Sequence, residues 1–122
     1  MVKSRGIHHV NLNVHDVPRS LKFYQEAFGL EIDFWEGNQM VFLRSPGVSD
    51  MLTLCQAPPG APVGPGGVSH FGFRVSNAEF DEAVAQIERA GGKLKSRGKH
   101  GGVDPFAYFE DPDGYVIELG AA

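Results

Sequence analysis

Length, composition and charge predict a small soluble domain. The 122 residues suffice for one domain with a hydrophobic core, and 42% of them are hydrophobic. The net charge of −4 disfavours a nucleic-acid partner, because phosphate binding needs a clustered basic surface. No apolar run approaches the roughly 20 residues of a membrane span, and no signal peptide is visible. The single cysteine, Cys55, excludes an internal disulfide, so we expect a cytoplasmic protein with no membrane partner.

An internal repeat organises the chain. The segment GIHHV at residues 6–10 returns as GVSHF at residues 67–71, so the two histidines are separated by 70 − 9 = 61 residues. A glycine follows each predicted helix, at an offset of 91 − 29 = 62, and pairing Thr53 with Glu118 gives 118 − 53 = 65. Three similar offsets in one order predict a duplicated unit. We expect a single domain over residues 1–122, with module one at 6–56, a linker at 57–67 and module two at 68–120.

Module one is predicted to contain a strand, a helix and three strands. Residues 7–14 alternate as a strand does, and Asp16 can cap the helix that follows, with Pro18 in its first turn. Apolar residues recur at helical spacing until Gly29 ends the helix. Residues 31–36, 39–44 and 51–56 read as strands, and the proline- and glycine-rich residues 57–67 form the linker.

Module two repeats the order. Residues 68–75 form a predicted strand, Ser76 or Asn77 caps a helix, and Gly91 with Gly92 ends it. Strands follow near residues 93–97, 106–109 and 115–119, the last after a strong DPDG turn at 111–114. The basic residues Lys93, Lys95, Arg97 and Lys99 alternate, which predicts one solvated strand face. The fold class is α+β, built from two tandem βαβββ modules.

Three residues of metal-ligand type are predicted on strand faces directed away from the helices. They are His9, His70 and Glu118. On a flat sheet they would be solvated or hydrogen-bonded side chains. If the two sheets curve into a cup, the set becomes two histidines and one carboxylate, which leaves coordination positions open. Fe(II) or Mn(II) suits such a set best, and Zn(II), Ni(II) or Co(II) is possible. Nearby aromatic residues are predicted either to wall this pocket or to pack in the core: Phe34, Trp35 and Phe42.

Two segments of the chain resemble the vicinal oxygen chelate superfamily. They are HVNLNVHDVPRSLKFY at residues 9–24, with FGL at 28–30, and FEDPDGYVIEL at 109–119. The superfamily includes glyoxalase I, extradiol dioxygenases, fosfomycin-resistance transferases and bleomycin-binding proteins. The resemblance implies a curved sheet cup with the helices outside, and it maps the metal ligands to His9, His70 and Glu118. Thr53 stands where glyoxalase I has a fourth ligand, a glutamate, which favours a three-ligand branch.

Two branches of the superfamily compete. Fosfomycin-resistance enzymes have a threonine where this chain has Asn11, and a basic tail where residues 120–122 are GAA, so that substrate is disfavoured. Extradiol dioxygenases have a histidine and a tyrosine before the final turn, which implies catalytic roles for His100 and Tyr108. The alternatives are a solvated His100 in a glycine-rich turn and a packed Tyr108. Arg74 shares the face of His70 and is a candidate substrate contact.

The sequence therefore predicts a metal-dependent enzyme, glyoxalase-like or extradiol-dioxygenase-like, that is, a lyase or a dioxygenase. Its small substrate would chelate the ion through two oxygens and contact Asn11, Thr53 and Arg74. The alternatives are a non-catalytic drug-binding protein of the bleomycin-resistance type and a fosfomycin-resistance-like thiol transferase. A homodimer is expected, in which His9 either stays within its own chain's site or joins His70 and Glu118 of another subunit.

Overall fold

The computed structural model describes residues 1–121, and each half of the chain forms one strand, one helix and three further strands. The first half contains β1 (Val10–Val14), α1 (Val17–Phe28), β2 (Glu31–Glu36), β3 (Met40–Arg44) and β4 (Leu52–Gln56). The second contains β5 (Phe71–Val75), a short 3-10 helix (Asn77–Glu79), α2 (Phe80–Arg89), β6 (Lys93–His100), β7 (Asp104–Glu110) and β8 (Val116–Ala121). The predicted α+β fold of two tandem βαβββ modules is confirmed.

Each module forms a four-stranded sheet with the same strand order. The orders are β1-β4-β3-β2 and β5-β8-β7-β6, and the first pair in each sheet is parallel. Asn11 lies opposite Thr53 in the first sheet, and Gly72 lies opposite Glu118 in the second. Thr53 and Glu118 thus occupy equivalent positions in the two sheets, as the offset of 65 predicted.

The first strand of each module begins three residues later than predicted. Strands expected from residues 7 and 68 begin at Val10 and Phe71. Their parallel neighbour in module one, β4, begins at Leu52, which is already opposite Val10, so the preceding residues have no ladder partner there. Consequently His9 and His70 each lie immediately before a strand, and Ile7 and Val68 are exposed.

The helices follow from their caps and apolar faces. The Asp16 carboxylate accepts a hydrogen bond from the Arg19 backbone N–H, and Gly29 ends α1 in the left-handed conformation, φ 64°. The inner face of α1 buries Val17, Ser20, Phe23, Tyr24 and Ala27, while α2 buries Phe80, Val84 and Ile87. Each large apolar side chain so buried stabilises the fold by about 1.5–3 kcal/mol. No helix within residues 1–121 is long and apolar enough to span a membrane.

Contacts between the modules run through α1 and the final turn. The Tyr24 hydroxyl donates to the Asp111 carboxylate at 2.6 Å, and Arg19 pairs with Asp113 at 2.8 Å. The rings of Phe28 and Phe73 stack with centroids 4.4 Å apart. By contrast, β1 and β5 are each the edge strand of their own sheet. The two modules of one chain therefore meet through side chains, and among the four edge strands of the two sheets are the first strands of both modules, β1 and β5.

A β-bulge occurs at the same point of both modules. It falls between Ile32 and Phe34 in β2 and between Leu94 and Ser96 in β6. The extra residue reverses which face the following side chains occupy. The prediction that the basic residues of β6 share one face is therefore wrong: Lys93 lies opposite Glu110, whereas Arg97 lies opposite the buried Ala107.

Candidate metal centre

Two of the three predicted ligands lie together in module two. The His70 Nε2 atom is 3.4 Å from Glu118 Oε1, and the two side chains are 36% and 21% exposed. Gly72 lies opposite Glu118 in the register, and its lack of a side chain leaves room for Glu118. A Cβ atom on Gly72 would lie 2.8 Å from the Glu118 carbonyl oxygen and 3.3 Å from the Glu118 Cβ. The sequence analysis missed this role of Gly72; the signal was a glycine inside an otherwise regular strand, two residues after a candidate ligand.

His100 contacts the other oxygen of the same carboxylate. Its Nε2 atom lies 2.8 Å from Glu118 Oε2, and its ring stacks on Phe106 with centroids 4.3 Å apart. The bulge in β6 explains this position. Leu94 lies opposite the buried Phe109, and strict alternation from Leu94 would direct His100 toward the helices as well. The Glu118 carboxylate is thus flanked by two histidines of its own module.

Tyr108 borders the same carboxylate. It lies opposite Glu118 in the register, and its ring meets the His70 ring edge-on with centroids 5.0 Å apart. Desolvation, followed by the negative charge of Glu118, raises the pKa of the Tyr108 hydroxyl above its ordinary value. A hydroxyl that keeps its proton at neutral pH can donate a hydrogen bond to a substrate oxygen.

The third predicted ligand, His9, lies in module one and is not within 4.0 Å of the Glu118 carboxylate. Its Nδ1 atom is 2.8 Å from His8 Nδ1, while His9 and His70 line a shared cavity of about 460 Å³. Within residues 1–121, the histidines inside 4.0 Å of the Glu118 carboxylate are His70 and His100. No group of three or more histidine, cysteine or acidic side chains in that part of the chain is arranged to hold a metal ion. One chain therefore provides a partial ligand set.

The predicted substrate contacts occupy both modules. Thr53 is fully buried and donates a hydrogen bond from its hydroxyl to Asn11 Oδ1 at 2.6 Å, at the position that Glu118 and Gly72 occupy in module two. Arg74 is exposed and lies opposite Gly120, two residues along the strand from Gly72. The neutral Asn11–Thr53 pair thus takes the place of a second carboxylate site.

Fold and site together define a module pair with a histidine–carboxylate cluster on one sheet. The family model of the Glyoxalase/Bleomycin resistance protein/Dioxygenase superfamily matches residues 6–119, and the chain belongs to this superfamily. The resemblance seen in the sequence is thereby confirmed.

Individual relatives include two enzymes and a resistance protein. A glutathione transferase FosA from Serratia marcescens is 28% identical over 94% of this chain and 79% of its own length. Lactoylglutathione lyase from Agrobacterium tumefaciens is 26% identical, with a TM-score of 0.76 over 98% of this chain and 95% of that one. The fosfomycin resistance protein FosX from Listeria monocytogenes, in complex with Mn(II), has a TM-score of 0.81 at 23% identity, over 98% and 92% of the two chains.

Proposed function

We propose that this protein is a metal-dependent enzyme that acts on a small substrate with two neighbouring oxygen atoms. A divalent ion, Mn(II) or Fe(II) by preference, would be held by His9, His70 and Glu118. The observation that carries this proposal is the approach of His70 Nε2 to Glu118 Oε1, at 3.4 Å, on the sheet face away from the helices. The relatives named above, two of them enzymes by name, support an enzymatic role.

The donor set fits a divalent ion. Two imidazole nitrogens and one carboxylate suit Fe(II) and related first-row ions, and they leave coordination positions for a chelating substrate. The ion would supply Lewis acidity to the substrate oxygens. The carboxylate of Glu118 is partly shielded from water, which strengthens its attraction for a cation.

A second copy of the chain would supply the missing histidine. The unpaired edges of β1 and β5 and the exposed Ile7 and Val68 beside them are typical of surfaces that pair with another chain. We place β1 of one protomer beside β5 of its partner in a symmetric homodimer. His9 of one protomer then joins His70 and Glu118 of the other, and each dimer contains two equivalent sites.

The remaining side chains of the site would position the substrate and move protons. The His100 Nε2–H donates to Glu118 Oε2 at 2.8 Å, so this imidazole would orient the carboxylate ligand and can give its proton to a substrate oxygen. The Tyr108 hydroxyl can donate to a substrate oxygen. The exposed Asn11 offers a neutral polar contact from the facing module, and the buried Thr53 would act through it by donating to Asn11 Oδ1 at 2.6 Å. Arg74 can pair with an acidic group of the substrate.

Metal content tests the proposal. The parent protein, purified without a tag, is expected to contain close to one metal ion per chain by elemental mass spectrometry, after reconstitution with Mn(II) or Fe(II) and removal of free ions. His9→Ala, His70→Ala and Glu118→Ala should each lose it, because three ligands leave little affinity to spare. His15→Ala, which removes an exposed histidine of the same module, is the matched control and should keep its metal. A parent that binds none of the five candidate ions would refute the proposal.

A narrower activity has one specific observation in its favour. The chain is 28% identical to the FosA glutathione transferase, although Asn11 replaces the threonine expected in that branch. Incubation of the Mn(II)-loaded protein with fosfomycin and glutathione would decide the question by mass spectrometry. A catalytically formed glutathione adduct, absent with Glu118→Ala, would assign this activity. Its absence would return attention to other chelating substrates.

A further inference from the structure

Two phenylalanines on the open face of module one form an exposed aromatic surface. Here the open face means the side of each sheet away from the helices. The rings of Phe34 and Phe42 stack with centroids 4.1 Å apart and planes 14° from parallel. Phe34 is 48% exposed, whereas Val41 and Leu43, which point to the opposite side of the same sheet, are fully buried. An aromatic pair that the core does not cover is available for contact with a ligand.

The strand register places this pair in line with the candidate site. Asn11, Thr53, Phe42 and Phe34 lie opposite one another across the first sheet. The equivalent row of the second sheet is Gly72, Glu118, Tyr108 and Ser96. Phe42 therefore corresponds to Tyr108, the neighbour of the carboxylate ligand. When a module one faces a module two in the proposed dimer, the phenylalanine pair lies across the cup from Glu118.

The charges around the pair do not suit an anionic substituent. Arg44, a cation on this face, lies directly opposite Glu31, and Glu36 lies opposite Met40. A substrate group placed against Phe34 and Phe42 would contact aromatic carbon atoms. The nearest polar side chains of the row, Asn11 and Thr53, are already hydrogen-bonded to each other at 2.6 Å.

We propose that Phe34 and Phe42 select the substrate, and that the substrate bears an aromatic ring beside its two chelating oxygens. The ring would stack on the exposed face of Phe34 while the oxygens reach the ion held by His70 and Glu118. This inference rests on the proposed function, because the oxygens anchor the ligand. The bulge in β2 makes the arrangement possible, since it directs Phe34 to the open face and Trp35 to the helix side.

A matched pair of chelators tests the inference by isothermal titration calorimetry on the Mn(II)-loaded protein. Acetohydroxamate and benzohydroxamate present the same two oxygens and differ in a methyl or a phenyl group. We expect benzohydroxamate to bind about tenfold more tightly, as ring stacking and burial of the phenyl group predict. Phe34→Ala should bring the ratio of the two affinities below about threefold and leave acetohydroxamate binding unchanged. Trp35→Ala, which removes a larger aromatic side chain on the other face of β2, should keep the full ratio.

The possible outcomes separate the two proposals. If acetohydroxamate binds but the phenyl group adds nothing, or if Phe34→Ala keeps the preference, the aromatic-substrate inference is overturned and the metal site stands. If Phe34→Ala abolishes binding of both ligands, Phe34 supports the assembly of the site instead of selecting the substrate, which also overturns the inference. If neither hydroxamate binds the parent, the proposed function fails and the inference fails with it.

Discussion

The carboxyl group of Asp111 is buried, yet it accepts three hydrogen bonds. The donors are the Tyr24 hydroxyl from module one and the backbone N–H groups of Asp113 and Tyr115. Burial raises the pKa of Asp111 above its ordinary value, and this effect exceeds the opposing effect of the hydrogen bonds. A buried carboxyl group with a raised pKa often takes part in acid–base catalysis. Asp111 instead has a structural role, because its hydrogen bond from Tyr24 connects the two modules.

This raised pKa makes the stability contributed by Asp111 depend on pH. A group whose folded-state pKa is raised contributes fully below its ordinary pKa of 3.8, and the contribution falls as pH rises through the folded-state value. We therefore expect the free energy of unfolding of the parent, relative to Asp111→Asn, to fall between about pH 3 and pH 7. Urea denaturation across that range measures it, with the exposed Asp33→Asn as control. A difference that is constant or increases with pH would contradict this account.

Among the site residues, sequence reasoning identified the chemical types but not their neighbours. His70 and Glu118 could be placed on one face by strand alternation and the repeat, and they do lie together. The glycine inside β5 signalled a close approach at Gly72, but not that its neighbour would be Glu118, because that depends on which residue of β8 lies opposite it. Register is set by pairing between distant segments and cannot be obtained from one strand alone.

Among the secondary-structure elements, α1 contributes both to the hydrophobic core and to the contact between the modules. Its N-cap is the Asp16 side chain, which accepts from the Arg19 N–H at 3.3 Å. Replacing Asp16 by alanine should lower the free energy of unfolding by about 1 kcal/mol, because one helix donor then loses its protein partner. Asp16→Asn keeps an acceptor oxygen, so its free energy of unfolding should differ from that of the parent by only a few tenths of a kcal/mol. Chemical denaturation checks both, and an equal loss in the two variants would assign the effect to charge instead of capping.

The number and order of the strands were predicted correctly from the sequence. The differences concern the faces of β6 side chains and the first residues of β1 and β5. The bulges in β2 and β6 leave the local composition of a strand unchanged, so simple alternation misplaced Arg97 and Lys99. The bulge in β6 also brings His100 to Glu118. Strand alternation alone would have placed His100 on the other face, and only the resemblance to dioxygenases indicated it as a site residue. The late start of β1 reflects a missing neighbour, since β4 begins at Leu52, opposite Val10. This reason does not apply to β5, because β8 begins at Val116, one residue before the partner of Phe71.

At the scale of the whole molecule, the repeat predicted two modules but not the surfaces through which they meet. Those surfaces depend on long-range contacts such as Tyr24 with Asp111 and Phe28 with Phe73. Since these contacts occupy α1 and the final turn, the open faces of the two sheets remain accessible. His9 is not within 4.0 Å of the Glu118 carboxylate. In the proposed homodimer, a second copy of the chain would complete the site with its own His9.

A heterodimer of two inactive variants tests this sharing most directly. His9→Ala and Glu118→Ala chains with different affinity tags would be produced together, the mixed dimer isolated through both tags, and its Mn(II) content measured beside the two homodimers. If the site is shared, one site of the heterodimer combines the intact His9 of the Glu118→Ala chain with the intact His70 and Glu118 of the His9→Ala chain. It should then hold half the metal of the parent dimer, while both homodimers hold none. A heterodimer without metal, beside a parent that binds it, would contradict the shared site and place His9, His70 and Glu118 in one chain.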